Sequence, residues 1–187
     1  MSRIKEIVAI ALALIGWIIA VVACVLPMWK VSAVTEAGTG RAQIIWEGLW
    51  MSCVTKSTGQ RQCTAYDSME ALPSDLQTAR DMTVIAIITA LLPLTLSFMG
   101  AKCTNCIKDK ALKAKLMMVS GVYFIISGCL VLISVSWTRN TTIRDPRMSS
   151  TPHTDPEVSL SMGFAASALL ITGGVMLCCT YISWRRR

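Results

Sequence analysis

Four long apolar stretches dominate the pattern of hydrophobic and polar positions along the chain. None of them contains Asp, Glu, Lys or Arg, and each has about 20 residues or more, the length an α-helix needs to cross a bilayer core of roughly 30 Å. The pattern therefore predicts four transmembrane helices, at residues 7–27, 82–101, 116–137 and 158–184.

The first connection, residues 28–81, is too short for a separate soluble domain, so we treat residues 1–187 as one membrane domain. Its segments Met28 to Val34 and Ile44 to Thr55 are rich in Val, Ile, Thr and Trp, which predicts an antiparallel sheet. Ser74 followed by Gln77 forms a capping box, which predicts a helix that begins before the second membrane span.

The distribution of charge orients the chain. Only 16% of residues are charged, against about a quarter in soluble domains, and the formal net charge is +7. The N-terminus, residues 102–115 and residues 185–187 are basic, whereas residues 28–81 and 138–157 are close to neutral. The positive-inside rule therefore places both termini in the cytoplasm and the two longer connections outside the cell. Because the basic residues form no single patch, we do not expect nucleic-acid binding.

The cysteines divide by compartment. Cys53 and Cys63 are the only cysteines in the two extracellular connections and flank the turn at residues 57–60, which predicts a disulfide-closed hairpin, with two free thiols as the alternative. Two further pairs at the cytoplasmic boundary are candidates for S-palmitoylation: Cys103, Cys106, Cys178 and Cys179.

No catalytic or cofactor-binding pattern accompanies these features. Cys103 and Cys106 lack the second pair or the histidine that a zinc site needs. His153, the sole histidine, lies in a proline-rich connection, so we predict neither an enzyme nor a metal or cofactor site.

The first extracellular segment carries an ordered set of residues that resembles the claudin signature. The set consists of Trp29, Gly48, Leu49, Trp50, Cys53, Cys63 and Arg80. A wider tetraspan group, including peripheral myelin protein and receptor-auxiliary subunits, shares this pattern. Further motifs resemble claudins proper: Leu26-Pro27-Met28-Trp29, Tyr66-Asp67-Ser68 and Lys102-Cys103-Thr104-Asn105-Cys106.

The resemblance implies a left-handed bundle of four transmembrane helices that carries a five-stranded extracellular sheet. It also implies tight-junction strands in the plasma membrane, built from claudins in cis and in trans, that form a paracellular barrier. We expect Trp29 and Trp50 to anchor the sheet at the outer membrane interface. The alternative function is a tetraspan auxiliary subunit that regulates another membrane protein in the same cell.

The resemblance further implies that charges around the second cysteine set paracellular ion preference. The residues concerned are Lys56, Arg61, Thr64 and Asp67. The positive charges of Lys56 and Arg61 predict a cation-excluding bias, and a simple solvated turn is the alternative. Asp67 is also a candidate structural partner of Arg80.

Two segments depart from the family pattern. The second extracellular connection has Ile143, Arg144, Asp145, Pro146 and Arg147 where many claudins carry an aromatic tip that contacts the opposing cell. The sequence also closes on Arg185-Arg186-Arg187 instead of the Tyr-Val end that PDZ scaffold proteins bind, so we do not expect PDZ binding.

Overall fold

A computed structural model describes residues 2–35, 42–55, 59–68, 72–102, 110–144 and 158–185. Its four helices and four strands follow one another in the order α1 Ser2–Val25, β1 Lys30–Thr35, β2 Ala42–Glu47, β3 Met51–Thr55, β4 Arg61–Ala65, α2 Ser74–Lys102, α3 Lys110–Arg144 and α4 Val158–Arg185. All four helices contain spans long and apolar enough to cross a membrane. The fold is a four-helix bundle that carries an antiparallel sheet, as the sequence predicts.

Helix α4 lies between α1 and α3, and α2 packs on the far side of α3. Small residues allow this close approach, because a Cβ atom added at Gly174 would lie 2.6 Å from the carbonyl oxygen of Gly121. A Cβ at Gly173 would likewise lie 2.8 Å from the carbonyl oxygen of Ala9. Backbone proximity of this kind drives helix association in lipid, where apolar burial contributes little between helices.

Buried hydroxyl groups join α2 to α3. The Thr83 and Ser134 hydroxyl oxygens are 2.8 Å apart, and the Ser127 hydroxyl donates to the carbonyl oxygen of Ala86 at 2.8 Å. In a membrane such groups are satisfied across helices because no water is present to bind them.

Two helices end two residues before a proline. Helix α1 ends at Val25, ahead of Pro27, and α3 ends at Arg144, ahead of Pro146. The residue before a proline is disfavoured in the helical region, which explains the end of α1. Helix α3 thus continues past residue 137 into the predicted second extracellular connection, so Ile143 and Arg144 lie in its last turn instead of a loop.

The sheet has the order β1-β2-β3-β4, and every pairing is antiparallel. The strand-rich segment from Ile44 to Thr55 contains two strands of the predicted antiparallel sheet. Residues 48–50 break it into β2 and β3, with a hydrogen bond from the Gly48 N–H to the Met51 carbonyl oxygen of 3.0 Å. Four strands lie within the described residues, and the fifth strand that the resemblance implies is not among them. Most of the second extracellular segment, residues 145–157, lies outside the described residues.

Side-chain alternation along the paired strands gives the sheet two faces. The disulfide face carries Val31, Trp46, Cys53 and Cys63, and the first three form a buried apolar cluster. The polar face carries a row of directly opposed residues, one from each strand: Lys30, Glu47, Ser52 and Thr64.

Candidate functional site

Trp29, the residue before β1, fixes on the helices the end of the sheet nearest to them, which we call the root of the sheet. This side chain is 1% exposed, and its indole Nε1 donates a hydrogen bond of 2.8 Å to the Ala23 carbonyl oxygen at the end of α1. It packs in a cluster contributed by the sheet root and by α1, α2, α3 and α4: Cys24, Leu49, Leu72, Leu76, Ala79, Val135 and Leu160. The prediction that Trp29 is an interfacial anchor was therefore wrong, because the indole is enclosed by protein.

Gly48 brings the sheet against the end of α1. A Cβ atom at this position would lie 2.4 Å from the Cα atom of Pro27 and 3.2 Å from the carbonyl oxygen of Leu26. Real Cβ atoms essentially never approach backbone atoms so closely, so only glycine fits here without a shift of the chain. The glycine of the Gly-Leu-Trp motif thus packs on the proline two residues before Trp29.

Trp50 and Arg80 close the outer side of this junction. The Arg80 Cζ atom lies 5.2 Å from the centroid of the Trp50 ring, a cation–π contact. Trp50 is 44% exposed, in contrast to the enclosed Trp29. Asp67, the candidate partner of Arg80, lies exposed after β4.

Tyr66 links β4 to the same place. Its N–H donates to the Trp50 carbonyl oxygen at 3.3 Å, and its hydroxyl donates to the Gly48 carbonyl oxygen at 3.4 Å. Burial, and after it the negative charge of Glu47, raises the pKa of Tyr66 to about 12. The hydroxyl therefore stays protonated and remains a donor at physiological pH.

The structure thus gathers seven residues in one place, which we name the joint: Pro27, Trp29, Gly48, Leu49, Trp50, Tyr66 and Arg80. Sequence order alone separates these residues by up to 53 positions. The joint fixes the direction in which the sheet leaves the bundle.

The Cys53–Cys63 disulfide is confirmed, with a Cα–Cα distance of 4.0 Å. Cys53 lies directly opposite Trp46 on β2, and the Arg61 Cζ atom lies 5.2 Å from the centroid of the Trp46 ring. Arg61 is therefore placed on the disulfide face. The contact with Trp46 was missed from the sequence, because only the strand register brings the two residues together.

The predicted selectivity residues do not form one cluster. Thr64 is exposed on the polar face, opposite Ser52, whereas Arg61 lies three residues earlier on the other face of β4. Asp67 follows β4, and Lys56 lies outside the described residues. The alternation of β4 therefore separates the charge of Arg61 from Thr64 by the thickness of the sheet.

The remaining predicted sites are placed only in part. Cys179 is exposed on α4, whereas Cys178 is partly covered, with its Sγ atom 3.9 Å from the Met118 carbonyl oxygen. The other palmitoylation candidates, Cys103 and Cys106, and the loop residues Asp145, Pro146 and Arg147 lie outside the described residues.

Comparison with known proteins matches residues 3–177 to the model of the PMP-22/EMP/MP20/Claudin family. Claudin-4 of Canis lupus familiaris is 50% identical over 177 residues, which cover 93% of this chain and 84% of that protein. The chain belongs to the claudin family. Claudin-6 of Homo sapiens is 49% identical over 178 residues, covering 94% of this chain and 81% of the relative. Claudin-3 of Rattus norvegicus is 46% identical over 183 residues, covering 96% and 84%.

Family membership and four membrane-length helices make the chain a multi-pass membrane protein. The family signature also acquires a structural meaning, because its tryptophans, glycine and arginine form the joint and its cysteines close the hairpin above it.

Proposed function

We propose that the chain is a structural and adhesion component of tight-junction strands, in which its extracellular sheet forms part of the paracellular barrier. The convergence of the signature residues at the joint is the observation that carries this proposal. A sheet fixed to the bundle by a buried Trp29 and a backbone contact at Gly48 has the rigidity that a seal between cells requires. The relatives, all claudins, support the same role.

Both termini lie in the cytoplasm in this proposal, and the sheet lies outside the cell. The basic N-terminus, residues 102–115 and residues 185–187 support this orientation through the positive-inside rule. The disulfide supports it independently, because disulfides persist in oxidising compartments. The partners are other claudins in the same membrane and in the opposing one.

A cation-excluding bias follows if the positive charges of the β3–β4 hairpin border the path between cells. Arg61 supports this bias, although its charge lies against Trp46 on the disulfide face. Thr64 is the uncharged exposed position on the polar face, in the same row as Lys30 and Glu47. A carboxylate at Thr64 would therefore change the field on that face most directly.

The contact with the opposing cell is weak in this proposal. Ile143 is 72% exposed in the last turn of α3 and Arg144 follows it, so an aliphatic side chain and a charge stand where many claudins carry the aromatic tip. Exposed charges make the remaining adhesion sensitive to salt. Mixing singly transfected cells tests this step: we expect poor enrichment at contacts between like cells, and strong enrichment would refute it.

Palmitoylation at the cytoplasmic boundary completes the membrane anchoring. Of the α4 pair, Cys179 is the acceptor because it is exposed, whereas Cys178 packs toward Gly121 and Met118 of α3. Cys103 and Cys106 remain candidates on sequence grounds. Acyl-exchange labelling should lose more signal in Cys179→Ser than in Cys178→Ser, and equal losses would refute this assignment.

Transepithelial electrical resistance tests the barrier role. Expression of the full chain in claudin-depleted epithelial cells should raise the resistance of the monolayer. An unchanged resistance, with the protein present at cell contacts, would overturn the proposal.

A further inference from the structure

Helices α1 and α2 meet less extensively than the other neighbouring pairs of the bundle. A long side chain bridges them at mid-depth, where Trp17 Nε1 donates to the Ile87 carbonyl oxygen at 3.2 Å. Seven residues further toward the extracellular side on each helix come Cys24, which belongs to the buried cluster around Trp29, and Arg80, which lies over the Trp50 ring. The two helices thus form a seam, which we define as the space between these two levels.

Valine side chains line the seam between its two levels. Val21 on α1 and Val84 on α2 lie between the two levels, on the same helix faces as Trp17 and Ile87, and both are partly exposed. Seven helical residues span about 10 Å, so the lipid-facing side of the seam is an apolar strip of that length, which we call the trough, with Trp17 at its lower end. Its flanks are apolar and open to the membrane, because Ile18 is 48% and Ile88 61% exposed.

The upper end of the seam has different chemistry. Arg80 lies two residues before the charge-free part of α2, at the outer membrane boundary, with the exposed Asp81 between them. Its guanidinium group is held beside Trp50. A guanidinium group binds phosphate oxygens in a bidentate geometry, and an interfacial indole packs well at the depth of lipid headgroups. An anionic group above an apolar trough is the chemistry of one membrane component.

We propose that the α1–α2 seam binds a phospholipid of the outer leaflet. The phosphodiester of its headgroup contacts Arg80, and one acyl chain lies in the trough over Val21 and Val84. Trp17 ends the trough at mid-depth. The lipid covers the side of the bundle on which helix packing is least extensive, and through Arg80 it contacts the joint.

The opposite side of the bundle provides a matched comparison. Arg139 lies at the same outer boundary, with its Cζ atom 6.0 Å from the centroid of the Phe164 ring. It lacks the trough, because α3 and α4 pack closely there: a Cβ atom at Gly163 would lie 2.4 Å from Val135 Cγ1. Arg139 thus shares the boundary position and the aromatic contact of Arg80 without the seam.

Native mass spectrometry of the full chain in detergent tests the proposal with three probes. These are phosphatidylcholine, diacylglycerol with the same acyl chains, and glycerophosphocholine, which has the headgroup without the chains. We expect a one-to-one complex with phosphatidylcholine and at least about tenfold weaker binding of the other two, since each lacks half of the recognised chemistry. Arg80→Gln should weaken phosphatidylcholine binding about tenfold, and Arg139→Gln should leave it unchanged.

Filling the trough tests the acyl contact without touching the joint. Val84→Phe should weaken phosphatidylcholine binding several-fold, while the same change at Ile85, 54% exposed on α2, should not. Should Arg80→Gln fail to fold, Arg80→Lys and Val84→Phe decide the matter, since both must bind more weakly than the unmodified chain. Equal binding of diacylglycerol, tight binding of glycerophosphocholine, or equal effects at Arg80 and Arg139 would overturn the proposal.

Discussion

The helix bundle and the extracellular sheet are held together by different means. In the bundle, glycines and alanines bring backbones into contact and buried hydroxyls bridge helices, as at Thr83 and Ser134. The sheet has one small cluster of Val31, Trp46 and Cys53, and every residue of β4 is exposed. The bundle is therefore stabilised along most of its length, whereas the sheet depends on a few contacts.

This difference locates the sensitive points of the molecule. A small sheet in water with so little buried surface is marginal by itself. It remains ordered because the disulfide ties β3 to β4 and because the joint seats its root on the bundle. Substitutions at these two places should therefore matter more than substitutions of similar size inside the bundle.

The largest effect is expected from loss of the disulfide. Closing a loop of this length stabilises a fold by about 2–4 kcal/mol, so Cys53→Ser should disorder the hairpin and abolish the barrier while the bundle stays inserted. Cys129→Ser, at an exposed free cysteine on α3, is the control and should have no effect. Transepithelial resistance measured at matched surface expression decides between them, and normal resistance with Cys53→Ser would contradict the prediction.

A methyl group at the joint should act almost as strongly. Gly48→Ala drives a Cβ atom into the Pro27 backbone and should cost about 2–3 kcal/mol, the upper part of the range for overpacking. In Gly59→Ala the added Cβ atom meets no atom within 4 Å. The substitution should cost only about 1 kcal/mol, because the residue has a positive φ of 79°. Thermal unfolding of the purified variants in detergent measures both, and a larger loss at Gly59 would refute the role of the joint.

A bridging hydroxyl in the bundle should contribute less. Thr83→Val removes the contact with Ser134 and should cost about 0.6 kcal/mol, the average for hydrogen bonds between membrane helices. Thr172→Val is the control, because that hydroxyl is exposed and bonds only to its own helix at Ala168. A loss at Thr83 as large as that at Gly48 would remove the contrast between the two regions.

The smallest effect concerns ion preference and leaves the fold intact. Thr64→Asp puts a carboxylate on the polar face and should raise sodium over chloride permeability. Arg61→Gln should act in the same direction more weakly, because the charge that it removes lies against Trp46 on the other face. Dilution potentials across a monolayer measure both changes. If neither variant shifts the potential, these residues do not set the ion preference.

Local sequence signals predicted the four helices, the antiparallel hairpin and the disulfide. Charge-free stretches of membrane length and two isolated extracellular cysteines suffice for these features, because each depends on neighbours along the chain. The extension of α3 to Arg144 had no such signal, since the end of a charge-free stretch does not mark the end of a helix that leaves the membrane.

The joint could be identified from sequence only as a set of residues, without its geometry. Nothing in the sequence shows that Trp29 is enclosed by four helices or that Gly48 contacts Pro27, because both depend on how the sheet docks on the bundle. The separation of Arg61 from Thr64 likewise required the strand register, since a shift of one residue would exchange the faces.

Freeze-fracture electron microscopy of junction-free fibroblasts that express the full chain tests the proposed strand-forming role most directly. A polymerising claudin should produce continuous intramembrane strands at contacts between cells, and Cys53→Ser should produce none at the same surface density. Dispersed particles without strands, from unmodified protein that reaches the cell surface, would contradict the proposal and favour an auxiliary subunit that acts within one cell.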